Sequence, residues 1–145
     1  MRGTVMAFGS FDVLHPGHLT YLEKAKRLGK RLVVVVARDS SIRMLKGVTP
    51  LLGERERLRM VSSIRIVDRA VLGNRLGSAR ERFNIISKFR PDVLVFGYDQ
   101  EVDTAEVKKW LKEHRLHARI ARIRVAKTES YYKSSRLRKR LVEDE

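Results

Sequence analysis

The chain has 145 residues, of which 43% are hydrophobic and 34% are charged, and its formal net charge is +15. This composition predicts one folded domain with an ionised surface and excludes a disordered chain. The sequence contains no cysteine, which excludes disulfides, thiolate metal sites and cysteine nucleophiles. No apolar run is long enough to span a bilayer and the opening residues lack a secretory signal, so we expect a cytoplasmic protein without membrane contact.

Short apolar segments alternate along the chain with longer segments of helical spacing. Strands are predicted at residues 4–8, 31–37, 69–72, 92–96 and 118–123, and the third is expected to open at Ile66 or Val67. Helices are predicted at residues 17–28, 54–64, 80–89, 104–114 and 134–141. This alternation predicts an α/β fold: a single doubly wound, Rossmann-like domain over residues 1–145, with a mostly parallel five-stranded sheet.

The loop after the first strand is the first place to search for a ligand, because ligands of open parallel sheets bind beyond the carboxyl ends of the strands. This loop ends where the first helix begins, and helix N-termini attract phosphate. His15 and His18 are three residues apart, so if Pro16 begins the helix both project to the same side of its first turn. Two imidazoles there can donate hydrogen bonds to phosphate oxygens. The alternatives are two solvated histidines or a metal pair, for which the sequence places no third ligand nearby.

The same loop carries a resemblance to a known superfamily. Residues 9–18 match every defined position of the signature Gly-Ser/Thr-Phe-Asp-x-x-His-x-Gly-His of the cytidylyltransferase-like nucleotidyltransferases, which have a HUP-type fold. The resemblance implies an enzyme that transfers a nucleoside monophosphate from a nucleoside triphosphate to a phosphorylated small molecule and releases diphosphate. It also implies a homodimer and a divalent metal ion, Mg²⁺ or Co²⁺, held through the triphosphate rather than by protein ligands.

The resemblance assigns roles to residues along most of the chain. It implies catalytic roles for His15, His18 and Lys46, and contacts of Arg57 and Lys127 with the acceptor or a phosphate. The nucleotide-binding residues that it implies are Gly9, Ser10, Phe11, Asp12, His15, Pro16, Gly17, His18, Gly97, Asp99, Thr128, Ser134 and Ser135. The last motif departs from the superfamily pattern Arg-Thr-Glu-Gly-Ile-Ser: Lys127 replaces the arginine, and residues 130–133 form a longer spacer.

Within the superfamily, the chain most resembles the archaeal FAD synthases, through residues 36–39, 67–73 and 97–100. The resemblance implies ATP and FMN as substrates and FAD as the product, although the cysteines often present near the end of those enzymes are absent here. The alternative is CTP with glycerol 3-phosphate, because glycerol-3-phosphate cytidylyltransferases share the first-loop signature. A zinc hydrolase using both histidines and a non-catalytic nucleic-acid-binding module also stay open. The nucleic-acid module is the weaker interpretation, because the basic residues are spread along the chain without a recognisable binding motif.

Overall fold

A computed structural model describes residues 3–75, 81, 83–98 and 100–125, and the structural statements below concern these residues. Strands and helices alternate through this part of the chain. The strands are β1 (Thr4–Gly9), β2 (Arg31–Val36), β3 (Arg69–Leu72), β4 (Val93–Gly97) and β5 (Arg119–Ile123). The helices are α1 (Pro16–Lys26), α2 (Asp39–Lys46), α3 (Glu54–Ser62), α4 (Asn84–Phe89) and α5 (Thr104–Glu113).

The strands form one sheet in the order β3-β2-β1-β4-β5, and all four pairings are parallel. From β1 the chain moves outward to β2 and β3, crosses back to β4 beside β1, and then moves outward to β5. The predicted α/β, doubly wound fold is confirmed, and every strand pairing in the described part of the chain is parallel. In such a sheet the ligand crevice lies where the strand order reverses, which here is between the carboxyl ends of β1 and β4.

Apolar layers cover both faces of the sheet, because successive side chains of a strand point to opposite faces. Val5 and Ala7 of β1 lie in one buried cluster with residues of α1 and α3. Met6, which stands between them, lies in the other cluster with residues of α4 and α5, including Trp110. The central strands are therefore buried on both faces, which explains the continuous apolar run of β2.

The third strand begins later than the sequence suggests. It opens at Arg69 rather than at Ile66 or Val67, because the chain makes a turn immediately after α3. The backbone N–H of Val67 closes this turn, and the Asp68 carboxylate accepts a hydrogen bond from Leu32 N at 2.7 Å. The apolar residues before Arg69 thus fill the core beneath a turn instead of extending the strand.

The helices also differ from the prediction in extent. The helix α2 is not predicted from the sequence. The helix α4 covers Asn84–Phe89, and the residue that caps its end, Arg90, has a φ of 45°. The predicted helix at residues 134–141 lies outside the described residues. Within the described ranges, no helix is both long enough and apolar enough to cross a membrane.

Candidate active site

The loop between β1 and α1 lies at the carboxyl end of the central strand, beside the crevice. The helix α1 begins at Pro16, as is required for His15 and His18 to lie on the same side of its first turn. Tyr21 of α1 holds the helix in place, since its hydroxyl lies 3.1 Å from the Phe8 carbonyl oxygen and 3.0 Å from that of Val95. These carbonyls belong to β1 and β4, so one side chain ties α1 to both strands that border the crevice.

The two histidines of the loop are in direct contact. Nδ1 of His15 accepts a hydrogen bond from Gly17 N at 3.1 Å, and Nδ1 of His18 accepts one from His15 N at 3.3 Å. The rings stack, with their centroids 3.8 Å apart and 28° between their planes. The pair therefore caps the first turn of α1 with its own side chains.

These hydrogen bonds determine which ring nitrogen carries the proton. An Nδ1 atom that accepts a hydrogen bond carries no proton, so in the neutral rings of His15 and His18 the N–H group is at Nε2. Burial lowers the pKa of His15 below its ordinary value of 6.5, which favours the neutral form. Two stacked imidazolium ions would also repel each other. The pair thus supplies Nε2–H donors at a helix N-terminus, where an anion is favoured.

Gly9 is needed for space rather than for a left-handed turn. Among the described glycines only Gly47 has a positive φ, and the left-handed residue of the first loop is Phe11, with φ 52°. A Cβ atom on Gly9 would lie 2.7 Å from atoms of the Phe11 ring. That ring is buried and lies 5.3 Å from the His18 ring, centroid to centroid. A side chain at position 9 would therefore displace the ring that packs beside His18.

Lys46 reaches the same loop from the end of α2. Its Nζ donates a hydrogen bond to Ser10 Oγ at 3.0 Å. The helix ends at this lysine because the next residue, Gly47, adopts the left-handed conformation with φ 70°. A cation from another part of the chain thus lies beside the loop that carries the histidines.

Asp12 has a structural contact where the resemblance implied nucleotide binding. Its carboxylate is buried, and it accepts hydrogen bonds from the backbone N–H groups of Leu51 and Leu52, both at 2.9 Å. The carboxylate therefore joins the first loop to the segment of residues 47–53 that connects α2 and α3. The carboxylate is thus engaged within the protein, and the nucleotide contact of Asp12 stays a prediction.

Arg57 is also engaged within the protein. The resemblance implies contact with the acceptor or a phosphate, which stays a prediction, and the side chain of Arg57 is fully buried in this structure. Its guanidinium donates to the carbonyl oxygens of Leu52 (3.0 Å), Ser10 (2.8 Å) and Ala37 (2.6 Å), and to Asp39 Oδ1 (2.7 Å). Arg57 thus holds together the ends of β1 and β2 and the segment of residues 47–53.

The turn after β4 forms the other wall of the crevice. Gln100 fixes it, since Nε2 donates to the Phe8 carbonyl at 2.9 Å and Oε1 accepts from Gly97 N at 2.6 Å. Arg122 of β5 donates to the carbonyl oxygens of Gly97 (3.0 Å), Gln100 (2.7 Å) and Val102. Sequence reasoning missed Gln100 and Arg122, because hydrogen bonds to backbone groups leave no residue pattern.

The remaining predicted site residues lie outside the described part of the chain. They are Asp99, Lys127, Thr128, Ser134 and Ser135. In the described part, no group of three or more His, Cys, Asp or Glu residues could hold a metal ion. Asp12 and Asp39, whose carboxylates lie near the first loop, are engaged by backbone N–H groups and by Arg57.

Comparison with known proteins gives a consistent assignment. The sequence matches the family described as Cytidylyltransferase-like over residues 6–140. It is 47% identical over 126 residues to a FAD synthase of Methanothrix thermoacetophila, covering 85% of this chain and 84% of that protein. It is 37% identical over 139 residues to a FAD synthase of Archaeoglobus profundus, covering 96% of this chain and 86% of that protein.

A solved structure agrees with these matches. The fold is similar to that of a lipopolysaccharide core biosynthesis protein from Thermoplasma volcanium, with a TM-score of 0.79 and 40% identity, over 87% of this chain and 99% of the other. Sequence and structure therefore match over most of the chain, and the two histidines of the family signature form a contacting pair at a helix N-terminus. We conclude that the chain belongs to the cytidylyltransferase-like family.

Proposed function

We propose that this protein is an FMN adenylyltransferase, which joins AMP from ATP to FMN and releases diphosphate, giving FAD. The relatives named FAD synthase, which align with most of this chain, support the choice of substrates. The observation that carries the proposal is the stacked pair of His15 and His18 at the N-terminus of α1. That arrangement places two Nε2–H donors at the positive end of the α1 dipole, which suits a phosphoryl group that gains charge.

The reaction is an in-line displacement at the α-phosphorus of ATP. A phosphate oxygen of FMN forms the new P–O bond, while the bond from the α-phosphorus to the oxygen that bridges to the β-phosphate breaks, and diphosphate leaves. The phosphate monoester of FMN is already anionic near neutral pH, so no strong general base is required. Catalysis can therefore rest on alignment of the two substrates and on stabilisation of the developing charge.

The residues of the first loop provide this stabilisation. His15 and His18 donate from Nε2 to the α-phosphoryl oxygens, beside the positive end of the α1 dipole. Lys46, which lies 3.0 Å from Ser10 Oγ, exchanges that contact for the triphosphate and offsets charge on the leaving diphosphate. His15, His18 and Lys46 stabilise negative charge that is greater in the transition state than in bound ATP. Stronger interaction with the transition state than with the bound substrate is what raises kcat.

A divalent cation, Mg²⁺ or Co²⁺, fits the site as an ion held mainly by triphosphate oxygens and water. The contacts of the nearby carboxylates support this mode of binding, because Asp12 and Asp39 are already engaged within the protein. When bound, the ion neutralises phosphate charge. The phosphates are then oriented by the histidine pair and the N-terminus of α1.

The decisive experiment measures diphosphate release by the purified protein with ATP or CTP, each combined with FMN or glycerol 3-phosphate, in Mg²⁺ or Co²⁺. We expect diphosphate and FAD in the arm with ATP and FMN. Turnover only with CTP and glycerol 3-phosphate would assign the cytidylyltransferase activity that the family's name suggests. Nucleotide hydrolysis without any acceptor would indicate a hydrolase. Absence of diphosphate in every arm, with salt-dependent oligonucleotide binding, would indicate a nucleic-acid-binding module.

The homodimer and the cytoplasmic location are part of the same proposal. The homodimer is supported by the resemblance to the superfamily. Light scattering of the purified chain tests it, and a monomer at micromolar concentration would contradict it. Fractionation of the source cells tests the location.

A further inference from the structure

Side-chain hydrogen bonds fix the described part of the turn that follows β4. The side chains of Gln100 and Arg122 together make five hydrogen bonds to backbone groups of residues 8, 97, 100 and 102. The backbone N–H of Tyr98 also donates to the Ile123 carbonyl at 2.8 Å. The described residues of the turn are therefore anchored to both neighbouring strands, which fixes the backbone at Tyr98.

Among the described residues of the turn, Tyr98 presents an aromatic ring to solvent. Tyr98 is 60% exposed, although burial of a tyrosine ring is favourable. The guanidinium of Arg124 stacks on this ring, with its central carbon 3.8 Å from the ring centroid. The Arg124 carbonyl accepts a hydrogen bond from Lys24 Nζ of α1 at 2.9 Å. Arg124 therefore covers one face of the Tyr98 ring and leaves the rest of the ring open to solvent.

This ring lies at the edge of the sheet where the substrates are proposed to bind. Tyr98 directly follows the last residue of β4, which pairs with β1, the strand that leads into the histidine loop. The contact of Gln100 with the Phe8 carbonyl shows that the turn reaches the end of β1. Tyr98 thus lies at the carboxyl end of β4, one of the two strands that border the crevice, with its ring beside Arg124, which follows β5.

We propose that Tyr98, backed by Arg124, is a stacking surface for a planar heterocyclic ring of the substrates, and this inference rests on the proposed function. Both substrates carry such a ring: the isoalloxazine of FMN and the adenine of ATP. A tyrosine ring offers a large flat contact with few rotatable bonds, so little side-chain entropy is lost on binding. The fixed turn lowers the ordering cost further. The role of Tyr98 is to position a ring, whereas His15 and His18 act on the phosphate.

The test compares Tyr98→Leu and Tyr98→Phe with the wild-type protein in equilibrium binding of FMN, ATP, inorganic triphosphate and glycerol 3-phosphate. Stacking on an aromatic side chain contributes about 1–3 kcal/mol, so Tyr98→Leu should weaken binding of one ring-bearing ligand by about fivefold to a hundredfold. Tyr98→Phe should retain the affinity, because the ring and not the hydroxyl makes the contact. Binding of the two ligands without a heterocycle should stay within about twofold of the wild type.

Phe89→Leu is the matched control. The Phe89 ring also lies under a guanidinium, and the central carbon of Arg69 is 5.4 Å from the ring centroid. This pair is remote from Tyr98, because Arg69 begins β3, the outermost strand on the other side of the sheet. This variant should bind all four probes like the wild type. Loss of FMN affinity alone would place the isoalloxazine on Tyr98, and loss of ATP affinity alone would place the adenine there.

Two results separate failure of this inference from failure of the proposed function. Unchanged binding of both FMN and ATP by Tyr98→Leu would overturn the stacking role, even if the variant makes FAD. Absence of FAD formation by the wild type would overturn the proposed function, while the comparison of ATP with inorganic triphosphate would still decide whether Tyr98 stacks a heterocycle.

Discussion

Replacing Arg57 by methionine should destabilise the protein before any substrate is added. The guanidinium is fully buried and donates hydrogen bonds to three carbonyl groups and to Asp39. Loss of one partner of a buried ion pair costs about 3–5 kcal/mol. The Asp39 side chain is 28% exposed, so water compensates part of this loss and we expect the lower end, about 3 kcal/mol. A folded domain has roughly 5–15 kcal/mol of total stability, so the loss is a substantial fraction.

The measurement is the free energy of unfolding in urea and the melting temperature, both without ligand. A loss of about 3 kcal/mol corresponds to a fall of roughly 6–12 °C for a domain of this size. Arg59→Met is the matched control, because Arg59 lies on the same helix and is exposed. An Arg57→Met protein as stable as Arg59→Met but defective in substrate binding would refute the reasoning, since it would make Arg57 a ligand contact.

Three further predictions concern the first loop. His18→Ala should lower kcat by about 10² or more with an unchanged circular dichroism spectrum. His117→Ala is the control, because His117 is exposed and lies just before β5, and its kcat should stay at the wild-type value. Near-normal turnover of His18→Ala would remove the assigned role of His18. Burial lowers the pKa of His15 in the folded state. The stability that the neutral, buried His15 ring contributes to folding is therefore present above pH 6.5 and is lost as the pH falls through the lower folded-state pKa. His15→Asn, which can cap the helix without titrating, should flatten that part of the profile of unfolding free energy against pH, and an unchanged profile would contradict the assignment. Lys46→Met should reduce kcat/KM for ATP by about tenfold to a hundredfold, because a charge-assisted contact with the triphosphate is lost. Lys109→Met is the control, since Lys109 is exposed. Equal kcat/KM values for the two variants would exclude Lys46 from the site.

The fold could be predicted from the sequence because its signal is local and repeated. The continuous apolar run of β2 and the helical spacing of α1 each occupy one segment, and their alternation determines the parallel sheet. The helix α2 was missed because it has only eight residues, of which only Ser41 and Ile42 are buried. Its stability comes from tertiary contacts, which a single-sequence pattern does not contain.

The candidate site could be predicted where its residues are close together in sequence. It could not be predicted where it depends on contacts between residues that are far apart in sequence. The pair of His15 and His18 could be placed because the signature and the helix start lie within one loop. The family resemblance links Asp12 and Arg57 to ligands, and nothing in their local sequence indicates that their side chains are buried. Their partners include backbone groups up to 47 residues away, and only the folded chain shows such contacts.

Asp12 and Arg57 join the first loop to the segment before α3 from opposite sides of the sequence gap. Asp12 binds the backbone of residues 51 and 52, and Arg57 binds the carbonyl groups of Ser10 and Leu52. Hydrogen bonds therefore connect two segments that are remote in sequence. A chimera that imports residues 9–18 from a relative with another acceptor preference needs residues 47–57 from the same donor, because a transplanted loop without its natural support would have no defined position.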